Sequence, residues 1–348
     1  MEYDKTSFGT TKQGENVEQV ILTNDHNVKV KILTYGALWQ SFEVPTDNNE
    51  MTNLLVSYDN LRDYEDSGFY LCKTVGRVAG RIGHATYSID GNEYHSDDNE
   101  NGNTLHGGPK GLSDRVWKVS EFNQRCNSVS VTLTVEVNSS EDHFLGDMQI
   151  DVTYTLDNND AVTWKITGLS DQKTLFNPTL HTYFNLTDQK TLSSQELWIN
   201  GNHRLELDSS KIPTGKLLET DNTPYDFYES HNIIDNLHHL DSISGIEEYD
   251  DAFYVNGNND DPIATVSDPM TNRAIDIYSN RNALIVFTAD VINYQDDSKT
   301  KIDDYTGLAL EAQWLPDAIH NDGFGDIVLP ADVKQTYEIK YQYHKLHE

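Results

Sequence analysis

The segment Ser128–Val137 reads SVSVTLTVEV, in which Val129, Val131, Leu133, Val135 and Val137 alternate with polar residues. A period of two places every apolar side chain on one face of an extended strand and cannot form the stripe of a helix. The same period recurs along the chain. Residues 148–169, MQIDVTYTLDNNDAVTWKITGL, give two alternating runs around the turn-forming DNND, the pattern of a β-hairpin. Tyr337, Ile339, Tyr341 and Tyr343 repeat it near the carboxyl end. Further strands are expected at 28–34, 84–90, 274–278 and 283–288, and no segment shows a convincing amphipathic helix of three turns.

Many short strands separated by Asn, Asp, Gly and Ser clusters imply a mainly β chain, a sandwich or a barrel. One polar face per strand fits antiparallel pairing, because parallel strands covered on both sides are more continuously apolar. The stretches DNNE at 47–50, DDNENGN at 97–103 and GNNDDP at 257–262 are exposed loops, and none is long enough to be a linker. Residues 1–348 are therefore expected to form a single domain. The 25 Lys and Arg against 57 Asp and Glu leave a net charge of −32, which argues against nucleic acid or an anionic membrane as a partner. The longest purely apolar run, ALIVF at 283–287, is far short of a membrane span. Cys72 and Cys126 lack metal-type spacing and are too few for a disulfide framework, so both are expected to be buried, inert thiols. With no basic start followed by an apolar core, the cytoplasm is the expected compartment.

Four places carry chemistry-bearing residues against this background. In GRVAGRIGHATYSIDG, Arg77 and Arg81 flank glycines, and either could offer a fixed fork of donors or form a surface ion pair. In NTLHGGPKGLSDRVW, His106 precedes two glycines that let backbone and ligand approach closely. His181 lies in NPTLHTYFNL, among aromatic and hydroxyl side chains of the kind that grip a sugar, or is a hydrogen-bonded core histidine. Glu311 and Gln313 share one face of TGLALEAQWLPDAIH at 306–320, where a lone carboxylate interrupts an apolar run. Two histidines and an embedded glutamate suit general acid–base catalysis. They would also suit a metal, although the histidines stand on separate segments with no H-x-H or H-x-x-x-H spacing.

Together these motifs resemble the aldose 1-epimerases, or galactose mutarotases. GRVAGRI, LHGG with Trp117 eleven residues after His106, NPTLHTYFNL, IPTG, TPYDF, EEYDDAFYV and GLALEAQWLPDAIH follow the family's order over about residues 8–343. The resemblance implies a large antiparallel β-sandwich with few short helices, and interconversion of the α and β anomers of free galactose and glucose. It implies no metal and no cofactor. Matched motif to motif, it makes Glu311 the general base, His181 the general acid and His106 the supporting group that polarises the sugar. Arg81 and Asp250 become substrate-binding residues, with Gln313 beside the base. Tyr249 before Asp250 favours that aspartate over Asp251, and Gly80 stands where many members carry Asn. For this chemistry Glu311 is expected to be ionised and His181 protonated. Alternatives are an epimerase of phosphorylated hexoses, a non-catalytic sugar-binding protein on the same fold, and a glycosidase using Asp250 and Glu311 as its carboxylate pair. The oligomeric state is not legible in the sequence.

Overall fold

The computed structural model describes residues 1–48, 50–293 and 301–347, so position 49 of the DNNE loop lies outside the described residues. Strands dominate, in three larger sheets and four two-stranded ribbons among the described residues. A nine-stranded sheet runs from Lys118–Gln124 through the hairpin Met148–Asp157 and Ala161–Ser170 to Gln335–Lys345, then to Arg273–Tyr278 and the short strands beyond it. Its pairings are antiparallel, and the hairpin register joins Leu156 to Val162 across the expected turn. The expected strands appear at Lys29–Leu33, Thr86–Ile89, Arg273–Tyr278 and Ala283–Ala289.

A six-stranded antiparallel sheet packs against this one. Its strands lie in the order Thr182–Phe184, Gly307–Gln313, Ala283–Ala289, Asp250–Tyr254, His203–Leu207, Pro213–Glu219. Phe184 of this sheet meets Tyr341 of the nine-stranded sheet at a ring separation of 5.8 Å, and Trp39 of the five-stranded Glu2–Asn53 meander meets the same ring at 5.0 Å. The sandwich core is thus sealed by aromatics from all three sheets. Every residue of Gly307–Gln313 is buried, because one face of that strand meets the core and the other lies beneath a cleft. Double coverage is why its sequence reads as an apolar run instead of alternating.

Three expectations need correction. Ile233–Ser244 is a twelve-residue α-helix, capped by the Asn232 side chain on the Asp235 N–H at 3.0 Å and ended by Gly245 in the left-handed region. Ile233, Ile234, Leu237 and Leu240 form its buried stripe, a short pattern diluted by polar neighbours. Cys126 is exposed in a turn between two strands, while Cys72 is buried and burial pushes its thiol up to about 12. Arg77 is no surface residue. It is 1% exposed and forms a forked ion pair with buried Asp142 at 2.6 and 3.0 Å. No helix among the described residues is long and apolar enough to cross a membrane.

Candidate active site

The floor of the cleft is the outer face of the six-stranded sheet. Its ladder sets Glu311 opposite Ile285 and Ile285 opposite Ala252, while the next row sets Tyr183, Ala309, Phe287 and Asp250 side by side. Small alanines beside large residues hollow the surface. The cavity above them has a volume of about 290 Å³ and is lined by Arg81, His106, His181, Asp250, Glu311 and Gln313. The six residues that the resemblance assigns to the site therefore converge, from five separate stretches of chain, while Arg77 does not join them.

His181 is carried beside Glu311 by backbone pairing. Thr182 pairs with Leu310, the Thr179 hydroxyl donates to Ala312 O at 2.7 Å, and Asn177 Oδ1 accepts from the Trp314 N–H at 3.1 Å. Buried Arg281 ties the same two segments, donating to Pro178 O and to Ala312 O at 2.5 Å each. These ties leave His181 Nε2 at 3.4 Å from Glu311 Oε1. His106 arrives from the other side in the left-handed region, followed by Gly107 and Gly108, also at positive φ. Gly107 has to be glycine, since a Cβ there would lie 1.9 Å from Gly76 O. The Gly80 N–H donates to His106 Nδ1 at 3.2 Å, which fixes the neutral tautomer with its proton on Nε2. Tyr70 meets His106 edge-on at 4.8 Å, His106 meets His181 edge-on at 5.3 Å, and His181 stacks on Tyr183 at 5.0 Å.

Several buried polar atoms have no protein partner: His181 Nδ1, Glu311 Oε2, and both side-chain polar atoms of Gln313. Left unpaired, each would cost on the order of 1–3 kcal/mol, which hydrogen bonds to a hydroxylated ligand recover. Burial, reinforced by Asp250, pushes the Glu311 carboxyl up to about 8 against a lowering by Arg81. Burial also pulls His181 down to about 4, and pulls His106 well below the usual range with help from His181 and Arg81. Burial therefore works against the ionised Glu311 and protonated His181 expected from the sequence, because an ion pair that lacks further hydrogen bonds is penalised there.

His106, His181 and Glu311 each place a potential ligand atom within 4.8 Å of the others, so their separation in sequence is no obstacle to a metal. Their donor chemistry is. With Nδ1 occupied by the Gly80 amide, His106 presents an N–H to the cavity and not a lone pair, which leaves a two-histidine, one-carboxylate set short of a ligand.

Asp250 lies 3.9 Å from Arg81 in the cleft, whereas Asp251, which also lines the cavity, is engaged by Arg204 at 3.1 Å. Residues that the sequence analysis did not single out also line the cavity, among them Tyr70, Glu100, Lys211 and Phe287. Glu100 lies in a polar loop and Lys211 in a turn, with no local pattern that would have marked either one.

A family model described as aldose 1-epimerase matches residues 18–342. A maltose epimerase of Levilactobacillus brevis is 42% identical over 344 residues, covering 99% of both chains. An aldose 1-epimerase of Streptococcus thermophilus is 37% identical over 97% of both, and the human galactose mutarotase is 26% identical over 91% of both. The crystal structure of a galactose 1-epimerase from Lactobacillus acidophilus superimposes with a TM-score of 0.84, at 26% identity and 99% coverage of both chains. The chain therefore belongs to the aldose 1-epimerase family, enzymes of the isomerase type that exchange the anomers of aldoses.

Proposed function

We propose that this protein interconverts the α and β anomers of free aldoses, galactose and glucose among them, with Glu311 as general base and His181 as general acid. The observation that carries the reading is the buried His181–Glu311 contact at 3.4 Å, with an unpartnered polar atom on each residue, at the bottom of a sugar-sized cavity. Ring opening takes the proton from the C1 hydroxyl and gives one to the ring oxygen. Reclosure after rotation about C1–C2 reverses both transfers. The pair holds one proton between its members in either arrangement. A sugar hydroxyl donating to Glu311, with Arg81 nearby, favours the carboxylate and sends that proton to His181. His106 donates Nε2–H to a sugar oxygen, and Arg81, Asp250 and Gln313 orient the ring.

Reducing disaccharides extend the same reading. The relative named maltose epimerase favours them, and Phe69 and Phe287, which also line the cavity, offer apolar faces to a second ring. Two free thiols favour work in the cytoplasm. The test follows the optical rotation of freshly dissolved α-D-galactose, α-D-glucose and maltose in EDTA, for wild type and Glu311→Gln. Rapid equilibration by wild type alone is the expected result. No acceleration on any of the three sugars would remove the reading, and loss of rate only in EDTA would move the reaction to a metal.

A further inference from the structure

Four charged side chains of alternating sign stand in a row along the cavity rim. Glu100 grips Arg81 through two contacts, Nε to Oε2 at 2.5 Å and Nη2 to Oε1 at 2.7 Å. Arg81 Nη2 lies 3.9 Å from Asp250 Oδ2, and the same carboxylate oxygen accepts from Lys211 Nζ on its far side. The inner two are the groups assigned to the sugar. The outer two belong to the 97–103 loop and to the turn before Pro213–Glu219.

A guanidinium and a carboxylate this close, with side chains only 15% and 21% exposed, attract each other strongly. Without competing partners they would close into a direct forked pair and use on each other the donors and acceptors that a sugar needs. Each has such a competitor, and each competitor is anchored. The Glu100 loop is held by reciprocal Glu100–Asn103 backbone bonds at 3.2 and 2.9 Å, and by Asn99 bonding Leu105 through both side-chain atoms at 3.1 and 2.7 Å. Lys211 sits in a turn closed by its own N–H on Asp208 O at 3.0 Å, and Asp208 Oδ1 accepts from the Ile212 N–H at 3.1 Å.

We propose that Glu100 and Lys211 are positioning residues that hold Arg81 and Asp250 apart, so that both inner groups stay open to the sugar. This rests on the proposed reading of the cavity as a mutarotase site. The outer pair acts through the inner pair and touches neither Glu311 nor His181. Its loss therefore acts mainly on substrate binding, and reaches the proton transfers only through the charge of Arg81 near Glu311.

The test uses Glu100→Ala, Glu100→Gln, Lys211→Ala and Lys211→Met, with KM and kcat measured by polarimetry on whichever aldose wild type turns over, and Kd measured by calorimetry. Both outer residues are partly exposed, at 27% and 43%, so the variants are expected to fold; circular dichroism checks this. Glu100→Ala should raise KM and Kd about fivefold or more while kcat stays within about threefold, the scale of a lost half-exposed charge pair. Glu100→Gln, which keeps one acceptor for Arg81, should recover part of that loss, and Lys211→Ala should move KM the same way by less. A crystal structure of Glu100→Ala should show Arg81 closed on Asp250. Unchanged KM in both alanine variants, or a fall in kcat at constant KM, would overturn the proposal. Wild type that neither turns over nor binds any aldose would instead remove the underlying reading.

Discussion

Replacing Glu311 by Gln keeps the shape of the cavity and removes the carboxyl that burial has pushed up to about 8. As the general base its loss should lower kcat by roughly 10²-fold or more in the polarimetric assay. The same change should alter stability in a pH-dependent way. An unfolded chain releases this proton near 4.5, whereas the folded chain keeps it until about 8, so wild type loses stability as pH rises through that window. The Gln variant escapes the loss, and its melting temperature should exceed that of wild type by a wider margin at pH 8 than at pH 5. Equal margins at both pH values would refute the assignment of the proton. His181 has the opposite sign. Held down at about 4, it stabilises the fold fully above 6.5 and loses that contribution as pH falls toward 4. Glu311 was legible because a lone carboxylate in an apolar run needs a reason. Its charge state was not, because that depends on how many donors reach it after folding.

At the level of elements, the approach of Gly76 to Gly107 carries His106 into the cleft. Gly107→Ala puts a methyl group into the Gly76 carbonyl at a φ of +87°, so one backbone segment has to move. Such overpacking costs about 1–3 kcal/mol. Thermal unfolding should show that loss, and kcat should fall with it because His106 is displaced; an unchanged melting point would mean the two segments are not in contact. Arg281 works at the same scale. It is fully buried, and truncation to Ala would strand the Pro178 carbonyl, leave Ala312 O with the Thr179 hydroxyl but without the guanidinium, and open a cavity, at a cost of roughly 3 kcal/mol by urea titration. The alternating strands were readable because one face of each meets water. Gly307–Gln313 was harder because both its faces are covered, and Ile233–Ser244 was missed because its buried stripe, Ile233 to Leu240, spans only about two turns.

Over the whole molecule, the two apolar clusters, one in the sandwich and one under the cleft, both pack against Trp314. The two clusters are expected to unfold together in one calorimetric transition; two separable transitions would divide the chain. The net charge of −32 adds a second expectation. Self-repulsion destabilises a compact acidic protein and salt screens it, so raising NaCl from about 20 to about 200 mM should raise the melting temperature. A lower melting temperature in salt would mean that attractive pairs outweigh the repulsion. A saturating aldose should raise it as well, by binding only the folded state.

The sequence by itself determined the period of two, and with it the antiparallel β architecture, because alternation is a local property that each strand satisfies alone. Its motifs also named the six residues that meet in the cleft. Tertiary structure alone decided that burial disfavours charge on Glu311 and His181, that His106 offers an N–H and no lone pair, and that Glu100 and Lys211 flank the binding pair. Those properties depend on distance and burial between segments as far apart as residues 80 and 311, and no local pattern encodes such distances.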